Sequence, residues 1–427
     1  MDKFVVEGGV SLKGRVTAAG AKNAVLPMMA AALLGDGPVR LTRSPRLSDV
    51  ATMFEVLKDL GCDGQQHADG TIELVCPNTP NVHAPWEQVR KMRASVCVLG
   101  PLTARAGRAE VSLPGGCVFG VRPIDVHLKG LEALGAKVEI EGGYVKTTAR
   151  KGLRGAEIFL GTAFGPSVTG TMNVLMAATL AQGTTVIHGA ACEPEVTDLC
   201  VLLNAMGAKI SGIGSPRLEI EGVTRLGGAE HRVVADRIEA GTYLVAGAIT
   251  GGTVRVDDCK PGHLVALTDR LREAGFGVER GETWIEVQGE GYGVRPRPTD
   301  VTTQPFPGFP TDLQAQWMAL MCRAEGVSLV TERIYPDRYM HLPELVRMGG
   351  RIRRQEATAI VEGSARLSGA PVMASDLRAS AALVLAGLVA EGTTEVHRVY
   401  HIDRGYERID ERLQALGAKV RRVPDSA

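Results

Sequence analysis

The chain has 427 residues, enough for two to three domains, and 44% of them are hydrophobic, enough for full cores. Lys plus Arg equals Asp plus Glu at 48 each and aromatic residues make up only 4%, so neither a polyanionic nucleic-acid partner nor a base-stacking platform is expected. The start, Met1-Asp2-Lys3-Phe4, has no signal-peptide apolar region, and apolar runs such as Ala379 to Ala390 are too short to span a bilayer. A cytoplasmic protein without membrane insertion is therefore expected. The eight cysteines (Cys62, Cys76, Cys97, Cys117, Cys192, Cys200, Cys259 and Cys322) form no C-x-x-C pair. That scatter predicts reduced thiols, with neither a zinc site nor a disulfide framework.

A strand is predicted at Lys3 to Val6. Ala19-Gly20-Ala21-Lys22-Asn23-Ala24 then turns into an apolar helix, Ala24 to Leu34. Free backbone N–H groups and Lys22 at that turn suit an anion, although the same residues also read as an ordinary cap. Next comes Gly37-Pro38-Val39, a glycine turn that opens a β-branched run. This signature returns at Gly107, Gly183, Gly252, Gly326 and Gly392, at intervals of 66 to 76 residues by subtraction. A second signature, a helix end of the form Leu-x-x-Leu/Met/Ala-Gly, falls at Gly61, Gly135, Gly207, Gly275, Gly349 and Gly417. Each lies 23 to 28 residues after its partner in the first series.

A fixed period marks a repeated supersecondary unit. One period reads as strand (Thr184 to His188), helix (Val196 to Met206) closed by Gly207, then two short strands (Ala208 to Ile210 and Arg217 to Ile220). Ahead of each glycine turn lies a small-residue helix, such as Ala24 to Leu34, Ser167 to Leu180, Ala240 to Ile249, Asp312 to Ala324 and Asp376 to Ala390. Their Ala and Gly content predicts burial on nearly all sides. The fold class is α/β, six strand-helix-strand-helix-strand-strand repeats split three and three. The weakest region, Gly227-Gly228-Ala229, predicts domains of 22–229 and of 1–21 with 230–427, with the N-terminal strand completing the second and a cleft between them.

Several charged residues sit at turns and helix starts. Lys91-Met92-Arg93-Ala94-Ser95 precedes an apolar run and reads either as a solvated face or as part of an anion site. Ser112-Leu-Pro-Gly-Gly-Cys117-Val-Phe-Gly-Val-Arg122 sets one thiol on a Gly115-Gly116 turn, five residues before a guanidinium. A nearby cation lowers a thiol pKa, so Cys117 is a candidate proton carrier or nucleophile, although a buried cysteine in a glycine-rich connection reads the same way. Phe309-Pro310-Thr311-Asp312 is a helix start with Thr311 or Asp312 near the N-cap; a carboxylate there also suits a base. Ser375-Asp376-Leu377-Arg378 repeats the design with an arginine. His401-Ile402-Asp403-Arg404-Gly405-Tyr406-Glu407-Arg408 is dense in polar groups, and Arg404 suits phosphate or carboxylate. Cations at 22, 93, 122, 378 and 404, in corresponding phases of a repeat, would bind a small multiply charged anion. There is no P-loop, G-x-G-x-x-G, H-E-x-x-H or G-x-S-x-G.

Lys22-Asn23, Leu-Pro-Gly-Gly-Cys117 with Arg122-Pro123, Phe-Pro-Thr-Asp312, Asp376-Leu-Arg378-Ala-Ser380 and Tyr-His-Ile-Asp-Arg404-Gly-Tyr-Glu-Arg together resemble the UDP-N-acetylglucosamine enolpyruvyl transferase family, over essentially the whole chain. The resemblance implies an inside-out α/β barrel of two domains with three repeats each. It implies transfer of the enolpyruvyl group of phosphoenolpyruvate to the 3-hydroxyl of UDP-N-acetylglucosamine by addition and elimination, the first committed step of peptidoglycan synthesis. By the same resemblance Cys117 is the general acid on a lid loop and can bond to phosphoenolpyruvate. Lys22, Arg122 and Arg404 hold phosphate and carboxylate, with Arg93, Asn23 and Arg378 as further phosphoenolpyruvate contacts. Asp312 binds the sugar hydroxyl as base, Asn23 orients the sugar, and Asp376 and Arg378 support the cationic site and its closure.

Arg93, Arg122, Pro123, Ile124, Asp125, Val126 and His127, with Ala163, Phe164, Gly165, Pro166 and Ile334, are the implied contacts of the nucleotide sugar. No metal or organic cofactor is implied, and the sequence assigns no oligomeric state. One departure stands out. Where the family often has Lys-Val-Ser-Val-Gly, this chain reads Ala163-Phe164-Gly165-Pro166-Ser167, which bears on nucleotide affinity. A shikimate-phosphate enolpyruvyl transferase is disfavoured by Cys117. A non-catalytic sugar-nucleotide sensor is disfavoured by the joint presence of Cys117, Asp312, Arg378 and Arg404. An RNA-end-modifying relative is disfavoured by the balanced charge.

Overall fold

The computed structural model describes residues 2–113, 124–363 and 366–425. Cys117, Arg122 and Pro123 lie outside the described residues. Contacts divide the chain into two compact units, Gly20–Val234 and the residues up to Ala19 together with those from Ala235.

Within Gly20–Val234 the third repeat is complete. Its sheet runs Glu157–Phe159, Thr184–His188, Arg217–Glu221, Lys209–Ser211, with the first pair parallel and the others antiparallel. The second repeat has the same order: His83–Ala84, Arg108–Ser112, Tyr144–Thr148, Lys137–Glu141. In the first repeat the parallel edge comes from the far end of the unit, where Ala229–Arg232 pairs with Val39–Thr42. The last strand thus closes onto the first sheet.

The other unit repeats the plan with sheets built around Thr253–Asp257, Val327–Thr331 and Thr393–His397. In the last of these, the strand Asp2–Glu7 lies between Thr393–His397 and Lys419–Pro424, antiparallel to both, with Glu7 opposite Thr393 and Lys419. The N-terminal strand therefore supplies a position that the chain fills from within one repeat elsewhere.

Each unit holds three inner helices: α1 (Lys22–Ala31), α2 (Leu99–Ala106) and α3 (Val168–Ala178) in one, α4 (Arg237–Ile249), α5 (Gln314–Met321) and α6 (Leu377–Gly387) in the other. They have no polar stripe. Every residue of α4 from Ile238 to Ile249 is buried, so these helices form the centre, and the sheets lie outside with one face turned inward. Small residues make this possible. A Cβ at Gly241 would sit 2.6 Å from Leu313 Cδ1. The outer helices, such as Ser48–Asp59 and Pro194–Ala205, end at the second glycine series, and all six of those glycines have φ between +89° and +106°. That left-handed conformation is the helix stop the sequence signature announces.

The helix α2 is the small-residue helix expected ahead of Gly107, and it accommodates Gly100-Pro101. Pro101 lies in the first turn, where its missing N–H is harmless, and Gly100 packs where a Cβ would be 2.2 Å from the Asn173 backbone oxygen. Cys62 and Cys76 are disulfide-bonded, contrary to the expected set of free thiols. The hairpin register explains it: Asp63 pairs with Val75, so Cys62 and Cys76 occupy the next opposed positions.

Candidate active site

In the unit Gly20–Val234, Lys22 is the first residue of α1 and is buried. A cation is disfavoured at a helix N-terminus. Asp49, itself buried in the first turn of Ser48–Asp59, offsets this with a 2.7 Å ion pair to Lys22 Nζ. Asn23 is exposed on the next position. Arg93 opens the 3-10 segment Arg93–Val98 and is half-buried. Burial pushes the Cys97 thiol up to about 12, with Arg93 opposing only in part. Burial, reinforced by Arg93, pushes His127 down to about 3.

The His127 ring is held on both sides. Asn173 Oδ1 accepts from the Gly100 N–H at 2.6 Å, so its Nδ2 donates to Val96 O and to His127 Nδ1, each at 2.9 Å. The imidazole proton is therefore on Nε2, facing Thr169 Oγ1 at 3.3 Å. Ile124 is buried, Val126 half-buried and Asp125 exposed at the start of Asp125–Ala133. Ala163, Phe164, Gly165 and Pro166 form a tight hairpin in which Thr162 pairs with Gly165 and Gly161 with Pro166. Phe164 is 58% exposed at its tip.

In the other unit, Asp312 lies in the 3-10 turn Thr311–Leu313 that leads into α5. Neither it nor Thr311 caps the helix, as the sequence had suggested, because stronger partners take both. Asp312 Oδ1 accepts from Arg338 Nη1 at 2.6 Å, and Oδ2 lies 3.9 Å from Arg378 Nε. Burial opposes ionisation, but Arg338, Arg378 and then Arg237 hold the carboxyl well below the usual range.

Asp376 does cap its helix: Oδ1 accepts from the N–H groups of Arg378 and Ala379. Arg378 is buried at the start of α6, its guanidinium 4.9 Å from the Tyr406 ring centroid and 3.7 Å from Asp236 Oδ2. Burial disfavours its charge, yet Tyr406, Asp236 and Asp312 raise its pKa above normal. Its Nε and Nη1 make no hydrogen bond among the described residues. Tyr406 OH lies 2.9 Å from Thr242 Oγ1, whose proton goes to Ile238 O, so the phenol donates; Gln316 Nε2 donates to both oxygens. Arg404 is half-buried at the end of Val399–Arg404, and Ile334 is half-buried after Val327–Thr331.

The structure thus brings together Asp312, Arg378 and Asp376 in one unit and sets Lys22 on Asp49 in the other. Sequence reasoning missed Asp49, Asp236, Arg338 and Tyr406. Asp236 had a signal, since it caps α4 as Asp376 caps α6, in the same phase of the repeat. Arg338 had none, lying in an irregular segment 26 residues from its partner.

The EPSP synthase (3-phosphoshikimate 1-carboxyvinyltransferase) family model matches residues 6–413. A UDP-N-acetylglucosamine 1-carboxyvinyltransferase of Anaeromyxobacter sp. (strain Fw109-5) is 54% identical over 99% of both chains, and one of Coxiella burnetii (strain Dugway 5J108-111) is 52% identical over 99% of this chain and 96% of its own. Among solved structures, the enolpyruvyl transferase NikO from Streptomyces tendae superposes with a TM-score of 0.87 at 25% identity, over 99% of this chain and 98% of its own. EPSP synthase from Acinetobacter baumannii superposes at 0.74 with 18% identity, over 99% of this chain and all of its own, a likeness of fold. The inside-out repeats, the inner helices and this near full-length kinship place the chain in the enolpyruvyl transferase family of EPSP synthase.

Proposed function

We propose that this protein transfers the enolpyruvyl group of phosphoenolpyruvate to the 3-hydroxyl of UDP-N-acetylglucosamine, in peptidoglycan synthesis. The observation that carries the reading is the buried Arg378 guanidinium beside Asp312, whose carboxyl Arg338 and Arg378 hold well below the usual range. An anion site against a carboxylate is what this chemistry needs. The named relatives support the acceptor.

In the addition step the sugar oxygen bonds to C2 of phosphoenolpyruvate, the hydroxyl proton passes to Asp312, and Cys117 protonates C3. In the elimination C3 returns a proton to the Cys117 thiolate left by the addition, the C2–O bond to phosphate breaks, and inorganic phosphate leaves. Lys22, Arg93, Arg122, Arg378 and Arg404 bind the donor's anionic groups. Asp312 is a weak base while two guanidinia hold it. A donor carboxylate or phosphate on Arg378 would withdraw part of that hold and raise its proton affinity. Asn23 and residues 124–127, 163–166 and Ile334 contact the nucleotide sugar.

The test is phosphate release from phosphoenolpyruvate with UDP-N-acetylglucosamine or shikimate 3-phosphate, for wild type and Cys117→Ala. Release only with the nucleotide sugar, and lost in the variant, supports the reading. Release with shikimate 3-phosphate would overturn the acceptor assignment. An epoxide phosphonate should alkylate Cys117 in preference to the other thiols, since burial pushes Cys97, Cys200 and Cys322 up to about 12 and burial with Glu193 also raises the half-buried Cys192.

A further inference from the structure

Glu332 ends the central strand of its sheet, one residue past Val327–Thr331, and is fully buried. Its side chain carries four hydrogen bonds. Oε1 accepts from Thr303 Oγ1 at 2.7 Å and from the backbone N–H groups of Ile334 at 2.8 Å and Tyr335 at 3.0 Å. Oε2 accepts from Thr311 Oγ1 at 2.9 Å. Thr311 Oγ1 in turn accepts from Arg338 Nη1 at 3.0 Å, and the same Nη1 donates to Asp312 Oδ1 at 2.6 Å.

The proton inventory fixes the direction of this chain. Arg338 has only donors, and a hydroxyl has one proton. Thr311 therefore receives from Arg338 and gives its proton to Glu332. Thr303 behaves alike: it receives the Arg333 N–H at 2.9 Å and donates to Glu332. Only a carboxylate can accept at all four points.

We infer that Glu332 is a positioning residue for the acceptor substrate: through Thr311 and Arg338 it sets Asp312, and through two backbone N–H groups it sets Ile334 and Tyr335. The inference rests on the proposed transfer to a nucleotide sugar, in which Asp312 meets the reacting hydroxyl and Ile334 the nucleotide. Both ends of the acceptor site then hang from one buried carboxylate that touches no substrate. The chain meets Arg378 only at the 3.9 Å approach of Asp312 Oδ2 to its Nε, while Asp376 caps its helix and the Tyr406 ring packs on its guanidinium, so the donor's anion contacts should be affected far less.

The test compares wild type, Glu332→Gln, Thr311→Val and the double variant in phosphate release, with calorimetric binding of UDP-N-acetylglucosamine and a melting temperature for each. In Glu332→Gln an amide N–H faces the Thr311 proton, so the chain must break. A charge-assisted bond lost from a buried network should raise the nucleotide-sugar KM and Kd about tenfold or more. The phosphoenolpyruvate KM should stay within roughly twofold. The double variant should be no worse than the worse single one, because both cut the same chain. Equal rises in both KM values, an unchanged nucleotide-sugar Kd, or additive effects would overturn the positioning role. If Glu332→Gln fails to fold, Thr311→Val decides by the same split. If the wild type releases no phosphate, the proposed reaction fails, and the Kd values still decide for or against Glu332.

Discussion

Arg338 grips Asp312 and Thr311 with one nitrogen, at 2.6 and 3.0 Å. The candidate base and its neighbouring hydroxyl therefore move together with a guanidinium that the chain supplies 26 residues later. Replacing Arg338 with Met keeps the bulk and removes the pair. The Asp312 side chain retains 24% exposure, so the loss should be about 2 kcal/mol, below the 3–5 typical of fully buried pairs. Urea denaturation checks the stability. Asp312, still near Arg378 and Arg237, should titrate higher than in wild type, which carboxyl NMR would register.

His127 gives a pH signature of one sign. Its folded pKa, about 3, lies below that of an unfolded histidine. Between these values the unfolded chain binds more protons, so stability falls as pH drops below about 6.5, by about 2 kcal/mol at pH 5. Denaturation of wild type and His127→Gln at pH 7.5 and 5 should show the wild type losing more. Equal losses would mean that the ring is protonated in the fold.

Glu239 gives the opposite sign. Burial raises its pKa to about 7, with Arg412 opposing and Asp236 assisting. Arg412 lies 3.1 Å away, Ala19 N–H donates to it at 2.7 Å, and Tyr243 and Arg378 also face it. The folded chain keeps a proton that the unfolded chain has released. Stability is thus full below about 4.5 and is lost as pH rises to about 7, by about 3 kcal/mol at most. Relative to Glu239→Gln, the wild-type melting temperature should fall across that window.

Gly100→Ala tests the packing of the inner helices. Its Cβ would meet a backbone oxygen 2.2 Å away rather than a side-chain tip, so relief needs a shift of α2 against α3. Overpacking of this kind costs about 1–3 kcal/mol, and the rigid neighbour places this one near the top. Thermal denaturation reads it directly, and a neutral result would show that the two helices slide freely.

How far the fold was legible follows from where its rules are local. The glycine turns and stops repeat because each is dictated by a few adjacent residues, and they located strands such as Thr184–His188 to the residue. The helix ahead of Gly107 was expected from the period alone and without bounds, and α2 supplies it with Gly100-Pro101 inside its first turn. At the candidate site, Lys22, Asp312 and Arg378 were legible because each stands at a helix start. Arg338, Asp49 and the Cys62–Cys76 bond were not, because each depends on strand register or loop course bringing distant residues together.

The strand Asp2–Glu7 has a consequence for synthesis. It is made before Gly20–Val234, yet both of its partners lie in residues 393–424, beyond that unit. On the ribosome it must wait while Gly20–Val234, contiguous in sequence, acquires all its own strands. One unit can thus fold as it emerges, whereas the other completes this sheet only after residues 393–424 have been made.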